Sequence, residues 1–385
     1  MNSQNSHKIR VDIFIALIFF ISISLAETLA FKDRCLWVVR YSLASKSSID
    51  EMIEFAIEHN FNQIFVQVRG RGDCLYKSSW VPRSEILKTE NFDPLDYVLK
   101  KAHKHQLKVH AWVNVYMLWS AKESPKDEQH LFNRNPEWLD AVEGESQKYI
   151  LSDIRSPLDA SGKEGFYLAP HHPSVNPYLL AVMKDLLNNY EVDGIHLDYV
   201  RFKNEYHGYN FGGIEKLNTT INTEKYEFPK MNPRSSSKQN LRDEFLLNSI
   251  TEFVLKLKSF IKNNHKNVVL SAAVKPNLEH SSQRYFQEWD MWLSGGIIDW
   301  VLVMNYHPLF DEFVNNINLI KEYISEDEMD KIIMGVALYN QTEDVAVKKI
   351  NYSYDVGFSG IALFSYNAIT EQINKLSSVL SLFAK

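Results

Sequence analysis

Asp198 is the acidic residue whose sequence neighbours most strongly suggest chemistry. It lies in an apolar-rich run, residues 193–202, that is typical of a strand in a parallel sheet. Because side chains alternate across a strand, His196 and Asp198 share one face, while Ile195 and Leu197 share the other. If the apolar face packs on helices, Asp198 points into a barrel near the carboxyl end of its strand, where barrel enzymes keep their active sites. A carboxylate there can attack or stabilise an oxocarbenium-like centre, as glycoside cleavage requires.

A second carboxylate is needed to handle protons in such a reaction, and two acidic residues are candidates. Asp73 follows the second predicted strand, and Glu205 follows Arg201 at the same end. Asp193 would lie roughly 16 Å from Asp198 at about 3.3 Å per residue, too far to act beside it. The sequence does not choose between Asp73 and Glu205, and either is also compatible with an ordinary loop carboxylate.

Polar and aromatic residues gather at the carboxyl ends of the predicted strands. A barrel interior without a site is filled mainly with Val, Ile and Leu, so this excess predicts a binding site. Cations there would keep Asp198 ionised and bind sugar hydroxyls or an acidic group, and Trp112, Trp119 and Tyr306 would stack on sugar rings. The candidate substrate-binding residues are Arg40, Gln67, Arg69, His110, Trp112, Asn114, His196, Arg201, Lys275, Asn305, Tyr306 and Tyr366.

Strand-like and helix-like segments alternate from residue 34 onward, which predicts right-handed βαβ units and a parallel sheet. Eight of each favour an α/β fold, a closed (β/α)8 TIM barrel, over an open doubly wound sheet. The predicted strands are Cys35–Arg40, Gln63–Arg69, Leu107–Asn114, Asp193–Phe202, Val268–Val274, Ile298–Tyr306, Lys331–Leu338 and Gly360–Tyr366. The predicted helices are Ser48–His59, Pro94–His105, Val175–Tyr190, Leu241–Asn263, Tyr285–Leu293, Asp311–Ile324, Glu343–Tyr352 and Ala368–Phe383.

Long insertions interrupt this alternation after the third and fourth predicted strands. Residues 115–173 hold tryptophans, prolines and charges without a regular period, and residues 203–240 are mostly polar. A loop of that length within a compact domain is usually functional. We therefore expect the first insertion to form a wall of the cleft.

Composition restricts the class of protein. A chain of 385 residues with 45% hydrophobic residues can bury a large core, and a net charge of −6 gives no reason to expect nucleic acid as a partner. No Gly-x-Gly-x-x-Gly follows a strand, since Gly70-Arg-Gly72 is too short a match, so a dinucleotide is not predicted. Cys35 and Cys74 are too few for a structural zinc site. No cofactor is predicted.

The first 30 residues resemble a targeting segment, either a signal peptide or an N-terminal anchor. Lys8 and Arg10 precede an apolar stretch at 13–25, and Ala26 or Ala30 offers a cleavage site. The stretch is about 13 residues long, short of the roughly 20 that a membrane span needs. We expect export to a periplasm or the exterior, with 31–385 as one domain and membrane contact only through an uncleaved N-terminus.

Two other functional classes stay open. A metal-dependent deacetylase or esterase needs imidazoles and carboxylates that converge within about 2.0–2.2 Å of the ion. The third strand has only His110 followed by Trp112, and the adjacent His171 and His172 would point in different directions. The sequence therefore favours metal-independent chemistry. A non-catalytic glycan-binding barrel is the second alternative, because the second carboxylate is not settled.

Five motifs, found in one order between residues 34 and 366, together resemble the glycosyl hydrolase-like 10 family of exported bacterial TIM-barrel proteins. They are Leu36-Trp-Val-Val-Arg40, Phe65-Val-Gln-Val-Arg-Gly-Arg-Gly-Asp-Cys-Leu-Tyr76, His110-Ala-Trp-Val-Asn114, Asp193-Gly-Ile-His-Leu-Asp198 and Gly360-Ile-Ala-Leu-Phe-Ser-Tyr366. The resemblance implies glycosidase activity on a polysaccharide, and one branch of similar proteins acts on peptidoglycan strands stripped of their peptides. It also implies functional roles for Asp198, Gln67, Arg69 and Asp73.

The motifs depart from related patterns at several positions. Tyr199 stands where many similar proteins have a second acidic residue after the strand-four aspartate. Residues 193–200 also resemble the Asp-x-x-Asp-x-Asp-x-Glu signature of chitinase-type enzymes, but His196 and Val200 replace its middle aspartate and its proton-donating glutamate. The chitinase mechanism is therefore not transferred.

Overall fold

A computed structural model describes residues 29–87, 91–144, 164–222 and 241–383. Eight parallel strands close into one barrel in the order β1-β2-β3-β6-β7-β8-β9-β10, which confirms the predicted (β/α)8 fold. The barrel strands are β1 (Asp33–Val38), β2 (Gln63–Arg69), β3 (Lys108–Asn114), β6 (Gly194–Asp198), β7 (Val269–Val274), β8 (Trp300–Met304), β9 (Ile332–Ala337) and β10 (Gly360–Phe364). Most of the predicted targeting segment, residues 1–28, lies outside the described residues.

Helices surround the barrel, and several begin at the residues that the sequence indicates. They are α1 (Lys46–Glu58), α2 (Pro94–Ala102), α3 (Leu131–Arg134), α4 (Val175–Asn189), α5 (Phe211–Asn222), α6 (Leu241–Asn264), α7 (Leu278–Tyr285), α8 (Trp289–Ser294), α9 (Phe310–Tyr323), α10 (Glu343–Val356), α11 (Tyr366–Thr370) and α12 (Ser377–Ser381). Asp93 caps α2 by accepting a hydrogen bond from the Asp96 amide, and Pro94 occupies the first turn. Within the described ranges, no helix combines the length and the apolar character that crossing a bilayer requires.

Two predicted helices differ from the structure. The single helix predicted at 285–293 is wrong, because α7 ends at Tyr285 and Phe286 adopts a left-handed conformation with φ 53° before α8 begins. The helix predicted at 368–383 is divided into α11, a 3-10 turn at Ile373–Lys375 and α12. Both differences lie outside the barrel and leave its strand order unchanged.

Strand register determines which side chains meet at the two ends of the barrel. Between β3 and β6, Trp112 lies beside His196 and Asn114 beside Asp198. β2 carries an irregularity between Gln67 and Arg69, where its register against β3 shifts. Asp198 is therefore the last residue of β6 and lies level with the end of β3.

The interior of the barrel is a packed core rather than a channel. Its apolar cluster consists of Cys35, Trp37, Phe65, Trp112, Leu302, Ile333 and Ala362. Trp37 reaches across this space, with its ring centroid 6.2 Å from that of Tyr306 and 5.9 Å from that of Phe364. A larger second core lies between the strands and the helices. The space available to a ligand is thus at the carboxyl ends of the strands, which we call the mouth.

The two long insertions occur after β3 and β6, as predicted. The first contains a small antiparallel sheet of β4 (Met117–Trp119) and β5 (Phe166–Tyr167), and it continues into α4. The second contains α5 before residues 223–240, which lie outside the described residues, as do residues 145–163 of the first insertion. β5 follows directly after Glu164 and Gly165, and Lys203 Nζ donates to the Gly165 carbonyl at 2.9 Å. The two insertions therefore contact each other beside the end of β6.

Candidate active site

Asp198 lies at the mouth with its carboxylate held by two donors. The backbone amide of Tyr199 donates to Oδ1 at 2.7 Å, and Trp112 Nε1 donates to Oδ2 at 3.2 Å. Tyr199 adopts a left-handed conformation with φ 51°, which is uncommon outside glycine and is found disproportionately at functional sites. Burial raises the pKa of Asp198 to about 6, against the opposing effects of the Tyr199 amide, Arg201, Lys275 and Trp112. The carboxylate therefore changes charge near neutral pH.

Lys275 follows β7 and supplies a nearby positive charge. Burial lowers the pKa of Lys275 to about 8, with Arg201 acting in the same direction and with Glu164 and Asp198 opposing it. Its ammonium group lies 4.8 Å from the ring centroid of Tyr285. Lys275 and Asp198 thus form a pair whose charges are both sensitive to pH within about 2 units of neutrality.

Glu164 is a second acidic residue at this site, and the sequence patterns did not predict it. Arg201 Nη2 donates to both carboxylate oxygens of Glu164, at 3.0 and 3.2 Å, and the Tyr167 hydroxyl donates to Oε2 at 2.7 Å. Burial would raise the pKa of Glu164, but Arg201, Tyr167 and Lys275 together hold it below its ordinary value. Glu164 is therefore ionised at neutral pH, and its side chain is 42% exposed.

Arg201 is a predicted substrate-binding residue, but in the structure its buried side chain holds the carboxylate of Glu164 in place. Its side chain is 4% exposed, and its guanidinium carbon lies 5.0 to 5.7 Å from the ring centroids of Tyr285, Tyr199 and Tyr167. Nη1 donates to the carbonyls of Phe202 and Lys203 at 3.1 and 3.2 Å. Because the planar guanidinium is enclosed on its faces and edge, it has one orientation in which to hold the carboxylate.

Aromatic rings form a basin next to Asp198. Phe364 is its centre, with centroid distances of 5.5 Å to Tyr306, 6.1 Å to Tyr339 and 6.4 Å to Trp112. Tyr339 is 55% exposed, whereas Trp112 is almost fully buried. Tyr339 and, in part, Tyr306 and Phe364 therefore offer apolar surface to the faces of sugars, while Trp112 belongs to the packed interior beside them. Among the predicted residues, Trp112 and Tyr306 are in the basin, and Phe364 and Tyr339 complete it.

A hydrogen-bonded chain continues from Trp112 to the first strand. Trp112 Nε1 also donates to Asn114 Oδ1 at 3.0 Å, and Gln67 Nε2 donates to the same oxygen at 3.3 Å. The backbone amide of Arg40 donates to Gln67 Oε1 at 3.3 Å. Arg40 itself lies in a 3-10 turn just after β1 instead of within the predicted strand. These four predicted residues are thus joined across three neighbouring strands.

Two predicted histidines lie below the mouth. His110 is opposite Gly194, at the start of β6, where its Nε2 shares a 2.9 Å hydrogen bond with Gln63 Oε1. His196 is fully buried in the middle layer and is hydrogen-bonded to Trp37 Nε1 at 3.1 Å and to Ser271 Oγ at 2.9 Å. Both face the interior as the alternation predicts, but neither is high enough on its strand to contact a substrate.

Three other predicted positions face away from the mouth. Arg69 is fully buried, and its Nη1 donates to the carbonyls of Asn114 and Val115, because the irregularity after Gln67 reverses the expected alternation. Asn305 is fully buried and bonds to α9, donating to the Phe313 carbonyl at 2.9 Å. Tyr366 packs on Phe55 of α1 at 5.3 Å between centroids, because β10 ends at Phe364 and α11 begins.

The two predicted second carboxylates are not beside Asp198. Glu205 pairs with Arg284 at 3.1 Å. Asp73 accepts hydrogen bonds from the Arg71 amide at 3.0 Å and from Ser84 Oγ at 2.5 Å, and one of its oxygens is 3.9 Å from Arg40 Nη1. Asp73 thus belongs to a separate cavity near the end of β2.

Among the residues that the structure describes, metal-ligating side chains do not converge at the mouth. In the ranges that the structure describes, no three His, Cys, Asp or Glu side chains are grouped so that they could hold an ion. His171 is fully buried against Phe202 and Phe245, and His172 contacts Trp138. The adjacent histidines therefore point to different neighbours, as the sequence suggested.

The fold and the candidate site together indicate a class of protein. A closed parallel barrel that presents an ionisable carboxylate, a lysine and an aromatic basin at its carboxyl mouth is typical of TIM-barrel enzymes. The comparison with known families is specific: the chain belongs to the glycosyl hydrolase-like 10 family, whose model matches residues 29–354.

Individual relatives are more distant. The chain is 24% identical over 304 residues to glycosyl hydrolase DigH of Escherichia coli (strain K12), covering 73% of this chain and 63% of the relative. It is 23% identical over 172 residues to glycosyl hydrolase YngK of Bacillus subtilis (strain 168), covering 42% of this chain and 30% of the relative. A solved structure, the PgaB (BpsB) glycoside hydrolase domain from Bordetella bronchiseptica, superposes with a TM-score of 0.63 at 11% identity, covering 91% of this chain and 99% of that one. That likeness shows the fold alone.

Proposed function

We propose that this protein is an exported glycosidase that cleaves glycosidic bonds in a polysaccharide, without a metal ion. Peptidoglycan glycan strands are the first substrate to test. Two curated relatives are named glycosyl hydrolases, and the chain spans 63% and 30% of their lengths, so their activity comes to this chain as part of the proposal. The predicted targeting segment at residues 1–30 supports export.

The observation that carries the proposal is the environment of Asp198. Its carboxylate is oriented by two donors at the mouth, and an aromatic basin lies beside it. In its ionised form it can attack the anomeric carbon or stabilise the positive charge that develops there. Lys275 and Arg201 supply the opposite charges that favour this ionised form.

Proton handling is assigned to Glu164 in preference to Asp73. Glu164 and Asp198 interact with the same two cations, Arg201 and Lys275, whereas the contacts of Asp73 are with Arg40, Arg71 and Ser84. Placing a glycosidic oxygen near Glu164 would displace water and weaken its interaction with the solvent, which favours its protonated form. Glu164 is therefore our candidate for the second carboxylate.

Paired substitutions test this assignment. Glu164→Gln is expected to lower kcat roughly 10²–10⁴-fold on a natural glycan, because general acid–base catalysis contributes about that much. The loss should shrink on aryl glycosides with good leaving groups, which need no proton donor. Asp73→Asn is the matched control and should change kcat on neutral glycans by less than about threefold. The reverse ranking would move the proton-handling role to Asp73.

Hydrolysis itself is tested with the purified protein on peptidoglycan strands, with and without peptides, and on a panel of other polysaccharides. New reducing ends, identified by mass spectrometry of the products, are the expected result. No turnover on any substrate, combined with sugar binding that persists in Asp198→Ala, would favour the alternative of a non-catalytic glycan-binding barrel.

A metal-dependent deacetylase or esterase makes a different prediction. Its activity would be lost to a chelator and restored by zinc, and its product would be acetate or another acid rather than a new reducing end. Under our proposal, dialysis against a chelator leaves the rate of glycan cleavage unchanged. Loss of cleavage that zinc restores would contradict the metal-independent mechanism.

A further inference from the structure

A cavity separate from the aromatic basin lies next to the mouth on the side of β1 and β2. We call it the arginine pocket, and its volume is about 310 Å³, within the range of roughly 300–1,000 Å³ that ligand sites occupy. Its buried and half-buried lining includes Arg40, Arg71, Asp73, Ser84, Trp119 and His130. None of these residues has a part in the bond cleavage proposed above.

The floor of the arginine pocket is electropositive. Arg40 is 8% exposed and Arg71 is half-buried, and among the described residues of the lining Asp73 is the one acidic residue that is half-buried beside them. His130 is buried, and burial lowers the pKa of His130, so it is neutral near pH 7. The charged residues of both signs at the rim are exposed to solvent and are screened: Arg83, Glu85, Glu123, Lys126 and Asp127. Among the described residues, the buried and half-buried lining therefore has one positive charge in excess, whereas the exposed rim has one negative charge in excess.

Two glycines allow the chain to hold the arginines in this position. A Cβ at Gly70 would lie 2.6 Å from Arg40 Nη1 and 2.9 Å from Arg40 Cδ, so a larger residue there would displace that side chain. Gly72 has φ +75°, and a Cβ there would lie 2.6 Å from Leu118 and 2.9 Å from His130. His130 Nε2 in turn donates to the Arg71 carbonyl at 2.8 Å. The short Gly70-Arg-Gly72 motif thus builds this pocket.

The arginines keep hydrogen-bonding capacity for a ligand. Arg71 Nε donates to Ser120 Oγ at 2.9 Å, and within the described residues its two terminal nitrogens have no hydrogen-bond partner. Arg40 Nη2 donates to the Tyr41 hydroxyl at 3.3 Å, while Nη1 is 3.9 Å from Asp73, beyond hydrogen-bond length. Burial and the neighbouring charge of Arg40 both lower the pKa of Arg71, as expected for a cation without a full counter-charge. An anion would supply the missing acceptors.

The arginine pocket is connected to the site of cleavage by hydrogen bonds. Asn114 Nδ2 donates to the Gly70 carbonyl at 2.9 Å, and Asn114 Oδ1 accepts from Trp112, which also donates to Asp198. Trp119 lies at the wall, with its ring centroid 5.9 Å from the Arg71 guanidinium carbon. A glycan bound in the aromatic basin would have to extend along β3 and β2 to bring a substituent to Trp119 and the two arginines.

We propose that the arginine pocket binds an anionic substituent, a carboxylate or a phosphate, carried by the glycan. Guanidinium groups bind either anion through paired N–H donors, and Arg40 and Arg71 converge on one cavity. The proposal rests on the proposed function for its claim that the anion belongs to a glycan. Binding of the anion itself can be measured without turnover.

The test compares sugars that differ only in the anionic group. Binding of methyl β-D-glucuronide is measured against methyl β-D-glucoside, and glucose 6-phosphate against glucose, by calorimetry or ligand-observed NMR at low salt. We expect at least one anionic sugar to bind about fivefold or more tightly than its neutral partner, and added salt to reduce the difference. The pair that shows the preference distinguishes a carboxylate from a phosphate. Equal binding within both pairs would overturn the proposal.

Variants then locate the binding. Arg71→Gln should reduce the preference to less than about twofold, while Arg134→Gln, which removes an equal charge from α3 outside the pocket, should leave it unchanged. Arg71→Lys, which retains the charge without the guanidinium fork, should give an intermediate preference if Arg71→Gln does not fold. A preference that is undiminished in both Arg71→Gln and Arg71→Lys would overturn the assignment to this pocket. Asp198→Asn should retain it, so failure of the glycosidase proposal and failure of this one are distinguishable.

Discussion

Asp193 and Asp198 lie at opposite ends of one strand and meet very different surroundings. Asp193 precedes β6 and accepts from Lys108 Nζ at 2.7 Å, His103 Nε2 at 2.8 Å and the Val109 amide at 2.9 Å. Burial opposes these contacts, yet together they lower the pKa of Asp193, whereas burial raises the pKa of Asp198 to about 6. The first carboxylate has all the partners that a structural role needs. The second keeps a desolvated charge that a substrate can use.

The largest expected difference between the two aspartates is in their effect on kcat. Asp198→Asn keeps the shape of the side chain but removes its charge, so kcat should fall by roughly a thousandfold, within the range typical of a catalytic carboxylate. Asp193→Asn should leave kcat within about threefold of the parent, because it changes contacts at the far end of the barrel. Release of reducing ends at saturating substrate measures both. Equal losses of kcat in the two variants would show that the two aspartates do not differ in their role.

The second test is the pH dependence of stability. Because the pKa of Asp198 rises from 3.8 to about 6 on folding, the folded state binds the proton more tightly and stability falls as pH increases through that window. The free energy of unfolding of Asp198→Asn, measured relative to that of the parent, should therefore increase by up to about 3 kcal/mol between about pH 4 and about pH 7. Urea unfolding at those two pH values measures it.

In the same measurement, the change in free energy of unfolding caused by Asp193→Asn should have the opposite sign. A lowered pKa on folding means that the ionised carboxylate stabilises the protein above its ordinary pKa, and that this stabilisation is lost as pH falls. The variant should be less stable than the parent by about 1–3 kcal/mol near neutral pH, and the difference should shrink in acid. The same sign in both variants would contradict the contrast between the two aspartates.

A third test concerns Lys275. The parent should show kcat/KM rising through about pH 6 as Asp198 ionises and falling above about pH 8 as Lys275 loses its proton. Lys275→Met removes the positive charge, so the acid limb should move up by about 0.5–1 unit, and the part of the alkaline limb that comes from the Lys275 proton should disappear. Lys275→Arg retains the charge and should keep the acid limb in place. An acid limb unchanged in Lys275→Met would show that the two groups are uncoupled.

The smallest expected effect comes from a single hydrogen bond. Trp112→Phe keeps a ring in the basin but removes the Nε1–H that donates to Asp198 and Asn114, so kcat/KM should fall by about three- to tenfold. Trp292→Phe is the matched control, because it removes a 2.9 Å bond to Thr251 in the outer layer. It should lower stability without changing kcat/KM.

The parts of the fold with a clear period were predictable from the sequence. Eight apolar runs separated by amphipathic helices predict the barrel, and strict alternation places Asp198, Trp112 and Lys275 on interior-facing positions at the ends of their strands. The same alternation does not give the height of a residue along its strand. His110 has the right face, but its ring lies near Gly194, two layers below the mouth.

Residues controlled by irregular backbone could not be located in advance. Alternation puts Arg69 inside the barrel, and a one-residue irregularity in β2 turns it outward. The apolar run at 360–366 predicts that Tyr366 extends its strand, but β10 ends two residues earlier. Glu164 stands in an insertion without periodicity, and only the three-dimensional contact with Arg201 brings it to β6. Its one sequence signal is its position just before the short apolar segment at 166–169.

The indole of Trp37 has a consequence for how molecules move through this barrel. It bonds to His196 and lies edge-on to Tyr306, so the axis beneath the basin is plugged by side chains. Substrate and water must then enter through the mouth, and both fragments of a cleaved chain must leave through it. We expect departing fragments to compete with incoming chain ends, so that the reaction slows as products accumulate well before the substrate is exhausted.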